Sequence, residues 1–261
     1  KSITKQIPTN DEDFKKESLE QYSRDKSIDK KMIFLCKGEI NADIKKNNLN
    51  KIPNVSFPRS GHALLRRCLQ LYFNNEINFC EFYTGCNQTP CINPNTNYQK
   101  HHDLELDMKI DPKENYLIQY RHPLESITSL YNHGLKERRW YNGDSKETWI
   151  RFCNQNIKYW KGFVHKWVIN NDNPNITYIK YSDLIDNPQD ELRKAVECMD
   201  PLNKPDEEKI AKVIDEIDIS KRNFIHNFKY YDPVYFKEVE ESLKKELELL
   251  NIKNIINRDT Q

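Results

Sequence analysis

Residues 55–65, Val-Ser-Phe-Pro-Arg-Ser-Gly-His-Ala-Leu-Leu, constrain the fold more than any other stretch of this chain. An apolar run ends at Pro58, a basic residue and a Ser-Gly pair follow, and apolar residues then return at helical spacing. The pattern predicts a strand, a tight turn and a helix. The first N–H groups of such a helix lack intrahelical partners and point into the turn, where the helix dipole adds positive potential, so an anion suits the place. Gly61 lets the backbone approach a ligand without a Cβ in the way, Ser60 offers a hydroxyl, and Arg59 carries a charge that does not titrate. Taken alone, the stretch also fits an ordinary strand-to-helix turn with a surface arginine.

The rest of the chain alternates in the same way. Residues 1–31 are dominated by Lys, Asp, Glu, Ser and Gln, with apolar residues too sparse to form a face, and read as a polar N-terminal arm. The α/β domain is expected over residues 32–261, opening with a buried strand at Met32-Ile33-Phe34-Leu35-Cys36. After the turn at Arg59, Leu64, Leu65, Cys68, Leu69 and Tyr72 mark one helix face. A short strand is expected over residues 79–83, then a long loop over 84–97 that ends at Tyr98-Gln99-Lys100-His101-His102-Asp103. Residues 116–120 predict a strand, broken by Arg121-His122-Pro123 and followed by a helix with Leu124, Ile127, Leu130 and Tyr131 inward.

Asp144 and Glu147 suggest a capping box for a long helix whose stripe runs through Trp149, Phe152, Cys153, Ile157, Trp160, Phe163, Val164 and Trp167, which reads as core packing. A β-rich run over residues 176–181 precedes a helix starting near Pro188, another over 205–217, an irregular segment with Lys221, Arg222 and His226, and a final helix opened by Pro233. Strands separated by helices indicate one parallel sheet covered on both faces. Length alone does not choose between one α/β domain and two, but neither a repeat nor a linker is evident, so a single domain is expected.

With 41 Lys+Arg against 40 Asp+Glu, the formal net charge of +1 gives no global case for nucleic acid, so any anion site is local. No apolar run approaches the roughly 20 residues needed to span a bilayer. The seven cysteines are an odd number, which argues against a disulfide scaffold and points to a reducing compartment. A cytoplasmic location is therefore expected; because the chain begins at Lys1, a lumenal or secreted fragment with its targeting segment removed is the alternative. Cys80, Cys86 and Cys91 crowd one polar stretch but include no C-x-x-C pair and no companion histidine at finger-like spacing. They read as unrelated loop cysteines ahead of the alternative of a three-cysteine zinc site, with a disulfide between two of them left open and no metal expected.

Ligands of open parallel sheets bind beyond the carboxyl ends of the strands, and both the Arg59 turn and the Arg121 turn lie at such ends. Arg121 at the strand end and Ser129 about two helical turns on are placed to grip one anion from two sides, by guanidinium fork and hydroxyl. Here the chain resembles a known family. The stretch SFPRSGHALL looks like the 5′-phosphosulfate loop of sulfotransferases that use 3′-phosphoadenosine 5′-phosphosulfate (PAPS), and YRHPLESITSLYNH resembles their 3′-phosphate motif. ITYIKYSDL followed by NPQDELRKAV is similar to a later strand and helix of the same family.

The resemblance implies a P-loop nucleotide-kinase-like α/β domain that moves a sulfuryl group from PAPS to a hydroxyl or amine of a small-molecule or carbohydrate acceptor, without a metal. It assigns Arg59, Ser60, Gly61, His62 and Ala63 to the 5′ side and Arg121 and Ser129 to the 3′-phosphate, with Arg222 the nearest match to a late basic motif. In KHHD it implies His102 as catalytic base and Lys100 as companion, with His101 the competitor; Arg59 would stabilise charge on the leaving oxygen. The family often has threonines directly after the loop glycine, where this chain has His62 and Ala63, so His62 is the candidate to replace a missing hydroxyl. Lys136, Arg138, Arg139, Trp140 and Tyr141 form a basic and aromatic cluster suited to an acceptor, or an ordinary solvated loop. Two rivals stand beside this reading: a nucleotide-dependent phosphotransferase, whose G-x-x-x-x-G-K-[ST] signature is not in the sequence, and a non-catalytic nucleotide-binding protein.

Overall fold

The computed structural model of the chain describes residues 48–86, 88–136, 143–217 and 225–255. The polar arm and the strand expected at Met32 to Cys36 lie outside these residues. Within them, five strands alternate with helices: β1 (Ile52–Ser56), α1 (His62–Tyr72), β2 (Phe79–Glu81), α2 (Phe82–Gly85), β3 (Tyr98–His101), β4 (Tyr116–Tyr120), α3 (Pro123–Lys136), α4 (Lys146–Val164), β5 (Ile176–Lys180), α5 (Tyr181–Asp186), α6 (Pro188–Met199), α7 (Glu207–Glu216), α8 (Pro233–Ser242) and α9 (Lys244–Leu249). The strands form one sheet in the order β2-β3-β1-β4-β5. Every pair in it is parallel, with Val55 opposite both His101 and Ile118, and Tyr120 opposite Lys180. The register brings the carboxyl ends of β1, β3, β4 and β5 to a common edge.

Because side chains alternate across a strand, each strand feeds two cores. On one face Val55, Tyr116 and Ile118 pack with Leu124, Ile127 and Tyr131 of α3, the α4 stripe, and Phe236 and Val239 of α8. On the other, Ile52, Leu117 and Ile179 meet Leu65, Cys68 and Leu69 of α1, Leu192 and Val196 of α6, and Ile210 of α7. Trp149, Trp160 and Trp167 are completely buried, so truncating any one to alanine costs about 3–5 kcal/mol. The α4 stripe is core packing, as its spacing indicates.

Four local expectations change. Tyr98 to His101 is strand β3, not the end of a loop; its polar sequence hides a segment whose Tyr98, Gln99 and His101 are buried between β1 and β2. The strand expected over 79–83 stops at Glu81, and Phe82 opens α2. The cap of α4 is Ser145, whose hydroxyl accepts from Thr148 N (3.1 Å); Asp144 instead takes hydrogen bonds from Tyr131, Tyr230 and Lys229. The final helix is two, α8 and α9, interrupted at Leu243.

Candidate active site

The first turn is bent by two left-handed residues, Arg59 (φ 65°) and Gly61 (φ 92°). Glycine enters that region at little cost, whereas arginine there is uncommon and marks a turn held by its surroundings. Ser60 N closes the turn on Phe57 O (3.2 Å), and Leu65 N makes the first helical bond to Gly61 O (3.0 Å), leaving the N–H groups of His62, Ala63 and Leu64 ahead of that bond. Ser60 Oγ is fully buried and has no hydrogen-bond partner among the described residues. A buried orphan hydroxyl beside helix-start amides is the donor set of an anion cradle. Gly61 is also required sterically: a Cβ there would lie 2.5 Å from Tyr181 Cδ2.

The second turn touches the first. Arg121 Nη1 lies 3.4 Å from Arg59 O, and Arg59 Nε donates to Ser129 Oγ at 3.1 Å. Arg121 Nε donates to Glu125 Oε2 (3.2 Å), the guanidinium lies 4.1 Å from the centre of the Tyr181 ring, and Trp160 Nε1 donates to Arg121 O (3.0 Å). Arg121 and Glu125 are both buried, where an ion pair with good geometry holds its members in place and losing either partner is costly. Tyr181, the first residue of α5, thus packs on both turns at once. Sequence reasoning missed Glu125 and Tyr181. The signals were an acid four residues after Arg121 on a helix and an aromatic residue directly after a strand.

Three histidines lie in or beside β3, and their partners fix the tautomer of each. His62 Nδ1 meets Asn54 Oδ1 at 2.5 Å, and Asn54 Nδ2 donates to Leu117 O (3.3 Å), which orients the amide and puts the proton on His62 Nδ1. The ring packs against Phe79 and Tyr98, and its Nε2 is buried with no hydrogen-bond partner among the described residues. His101 Nδ1 accepts from Asp103 N (2.7 Å), which leaves the proton on Nε2. His102 does the reverse: Nδ1 donates to Ser56 O (2.7 Å), so Nε2 is the lone-pair nitrogen.

Burial, above all, pulls the pKa of each below the usual 6.5, with nearby Lys100 the next cause for His62 and His102. For His101, burial outweighs Asp103 and Asp107, and the value falls to about 4. All three are neutral at physiological pH. His102 is fixed further by Tyr83 OH, which accepts from its N–H (3.2 Å), and by Tyr159 OH, which donates to its carbonyl (2.5 Å). Directly after it, the Asp103 carboxylate takes Lys166 Nζ (2.6 Å) and Trp167 Nε1 (2.8 Å). Lys100 is ion-paired with Glu81.

The structure therefore brings Arg59, Ser60, Gly61, His62, Ala63, Lys100, His102, Arg121 and Ser129 to the carboxyl edge of one parallel sheet. Arg222, and Arg138, Arg139, Trp140 and Tyr141 of the acceptor cluster, lie outside the described residues. No described helix is long and apolar enough to cross a membrane.

Comparison with known proteins gives a family and a fold. The sulfotransferase domain family model matches residues 50–231, more than half of the chain. Mouse sulfotransferase SULT7A1 complexed with PAP has the same P-loop-like kinase fold, with a TM-score of 0.54 at 15% identity over 85% of this chain and 95% of that one. The sulfotransferase domain from the curacin biosynthetic pathway aligns at 16% identity and a TM-score of 0.39, covering 76% of this chain and 90% of that one. No curated protein matches the chain.

Proposed function

Because the chain belongs to the sulfotransferase domain family, we propose that it transfers the sulfuryl group of PAPS to a hydroxyl or amine of an acceptor, with His102 taking the acceptor's proton. The observation that carries this reading is the joining of the two anion turns: Arg59 on one reaches Ser129 on the other across 3.1 Å, so one ligand with phosphate at both ends meets both. The buried Ser60 hydroxyl, without a partner among the described residues, and the helix-start amides suit the 5′ end of PAPS, and Arg121 with Ser129 suits its 3′-phosphate.

The chemistry follows from charge flow. His102 Nε2 takes the proton as the acceptor oxygen or nitrogen bonds to sulfur, and the bond between sulfur and the 5′-phosphate oxygen breaks, its electron pair leaving on that oxygen to give PAP. Neutrality of His102 supports this role, since an imidazolium has no lone pair to offer. Between the neighbours, geometry favours His102: the lone pair of His101 is occupied by Asp103 N, whereas Nδ1 of His102 is the donor nitrogen. Arg59 and the α1 amides stabilise the charge growing on the leaving oxygen; a guanidinium with a pKa above about 12 is too weak an acid to protonate it. Lys100, held by Glu81, adds positive potential beside His102. A metal has no assigned part, because a sulfuryl group carries less negative charge than a phosphoryl group.

Incubating the chain with radiolabelled PAPS and a panel of glycans and small alcohols tests the reading. Label is expected on at least one acceptor, and His102→Ala is expected to lose transfer while retaining PAP binding. Turnover by His102→Ala at the parent rate would remove His102 from the role, and ATP- and Mg²⁺-dependent phosphoryl transfer in place of sulfuryl transfer would replace the reading altogether.

A further inference from the structure

The sulfurs of Cys80, Cys86 and Cys91 lie within 4.8 Å of one another, and all three residues are present as thiols at most 2% exposed. Along the chain they crowd one stretch, without a C-x-x-C pair. The fold produces the cluster, because Cys80 lies in β2 opposite Gln99 of β3, and Gln99 in turn meets Cys86 Sγ.

A satellite apolar cluster would account for buried thiols if other apolar side chains shared it. Among the described residues this cluster consists of the three cysteines alone. Polar groups are instead directed at the sulfurs. Gln99 Nε2, which donates to Gln88 O (2.7 Å), also reaches Cys86 Sγ (3.4 Å), and Thr96 Oγ1 donates to Cys91 Sγ (3.3 Å), contacts of the kind that orient thiolate ligands. Lys51 Nζ donates to the carbonyl of Cys91, placing a cation beside a group that would carry net negative charge. Gln99 Oε1, on the amide that meets Cys86, is fully buried and has no hydrogen-bond partner among the described residues.

We propose that Cys80, Cys86 and Cys91 bind one zinc ion as thiolates, with Gln99 Oε1 the oxygen donor available to the fourth position. Zinc takes four ligands tetrahedrally, and soft thiolates select it over the hard cations. On binding, each thiol gives up its proton to solvent and its sulfur bonds to the ion, so three thiolates and Zn²⁺ leave a single negative charge facing Lys51. The site is structural. It ties Cys86 and Cys91, which lie outside the described helices and strands, to β2 at the edge of the sheet, next to the strand that leads into His102. It is independent of the sulfotransferase reading.

The test uses the full chain, purified under reducing conditions without chelator or added metal. Elemental analysis is expected to give about one zinc per chain, and cobalt exchanged for zinc is expected to show thiolate-to-cobalt charge-transfer absorption. Cys86→Ser and Cys91→Ser are each expected to lose both signals, and chelation should lower the melting temperature of the parent chain by several degrees, with recovery on adding Zn²⁺. Zinc below about a tenth per chain, with no charge-transfer band when the reduced chain is titrated with Co²⁺, overturns the proposal. So does a mass showing two of the three cysteines joined as a disulfide in the native chain. Both readings come from the parent chain, so a variant that fails to fold does not decide the matter.

Discussion

Arg59 Nε donates to Ser129 Oγ across 3.1 Å, although 70 residues separate them in the chain. One residue closes the turn after β1 and the other lies two helical turns beyond the end of β4, so the contact turns two strand ends into a single surface. If that surface holds the two ends of PAPS, its two members should fail differently. Arg59→Ala is expected to lower kcat by about 10²–10³, the usual effect of deleting one donor to a developing anion, with PAP affinity much less affected. Ser129→Ala removes a hydrogen bond to a charged group and should weaken PAP binding by about tenfold, or about 1.4 kcal/mol. Steady-state kinetics and calorimetry separate the two; equal losses in both variants would contradict the division of roles.

Gly61 meets two constraints at once, a left-handed backbone and the Tyr181 ring against its Cα. Gly61→Ala should cost about 1–3 kcal/mol from the backbone conformation alone, with the displacement of Tyr181 added to it. Thermal denaturation checks this. The companion Tyr181→Ala relieves the clash, so the double variant should recover part of the loss relative to the sum of the singles, whereas strict additivity would mean that the ring is not what the new methyl meets.

His62, His101 and His102 are neutral when folded, and each has its pKa lowered from 6.5 chiefly by burial. Unfolding exposes them and lets them bind protons, so acid favours the unfolded chain. Their contribution to stability is present in full above 6.5 and is lost as pH falls through the folded values, about 4 for His101. The melting temperature should therefore decline progressively below 6.5, less steeply in His101→Asn, whose amide oxygen can still accept from Asp103 N. A melting temperature that rises over the same interval would contradict the assignment. Transfer activity should hold its neutral-pH value to below 6.5 and fall only in more acid solution, as His102 is protonated.

Much of this was legible in the chain itself. The run ending at Pro58 and the run ending at Arg121 announce strands followed by turns, and Leu65, Cys68, Leu69 and Tyr72 announce the helix after the first, because burial on one side imposes a period that survives in the sequence. Strand β3 was not legible. Tyr98-Gln99-Lys100-His101 has neither alternation nor a β-branched residue, and its burial comes from β1 and β2 on either side, which is a tertiary fact. The same holds for the site. Arg59, Ser60, Gly61 and Arg121 follow from turn chemistry, but the seating of Tyr181 on both turns, the pairing of Arg121 with Glu125 and the inward commitment of His62 to Asn54 depend on contacts between distant segments. The ring-nitrogen partners of His101 and His102, which set their tautomers, are likewise contacts that the sequence does not show.

The most direct test of the account is the melting temperature of the chain in millimolar PAP, set beside that of Arg121→Ala. A ligand present at about 100 times its dissociation constant stabilises the folded state by about 2.7 kcal/mol, which in a domain of this size raises the melting temperature by several degrees. The account predicts such a rise for the parent chain and its near loss in Arg121→Ala. An unchanged melting temperature for the parent chain in millimolar PAP would contradict it.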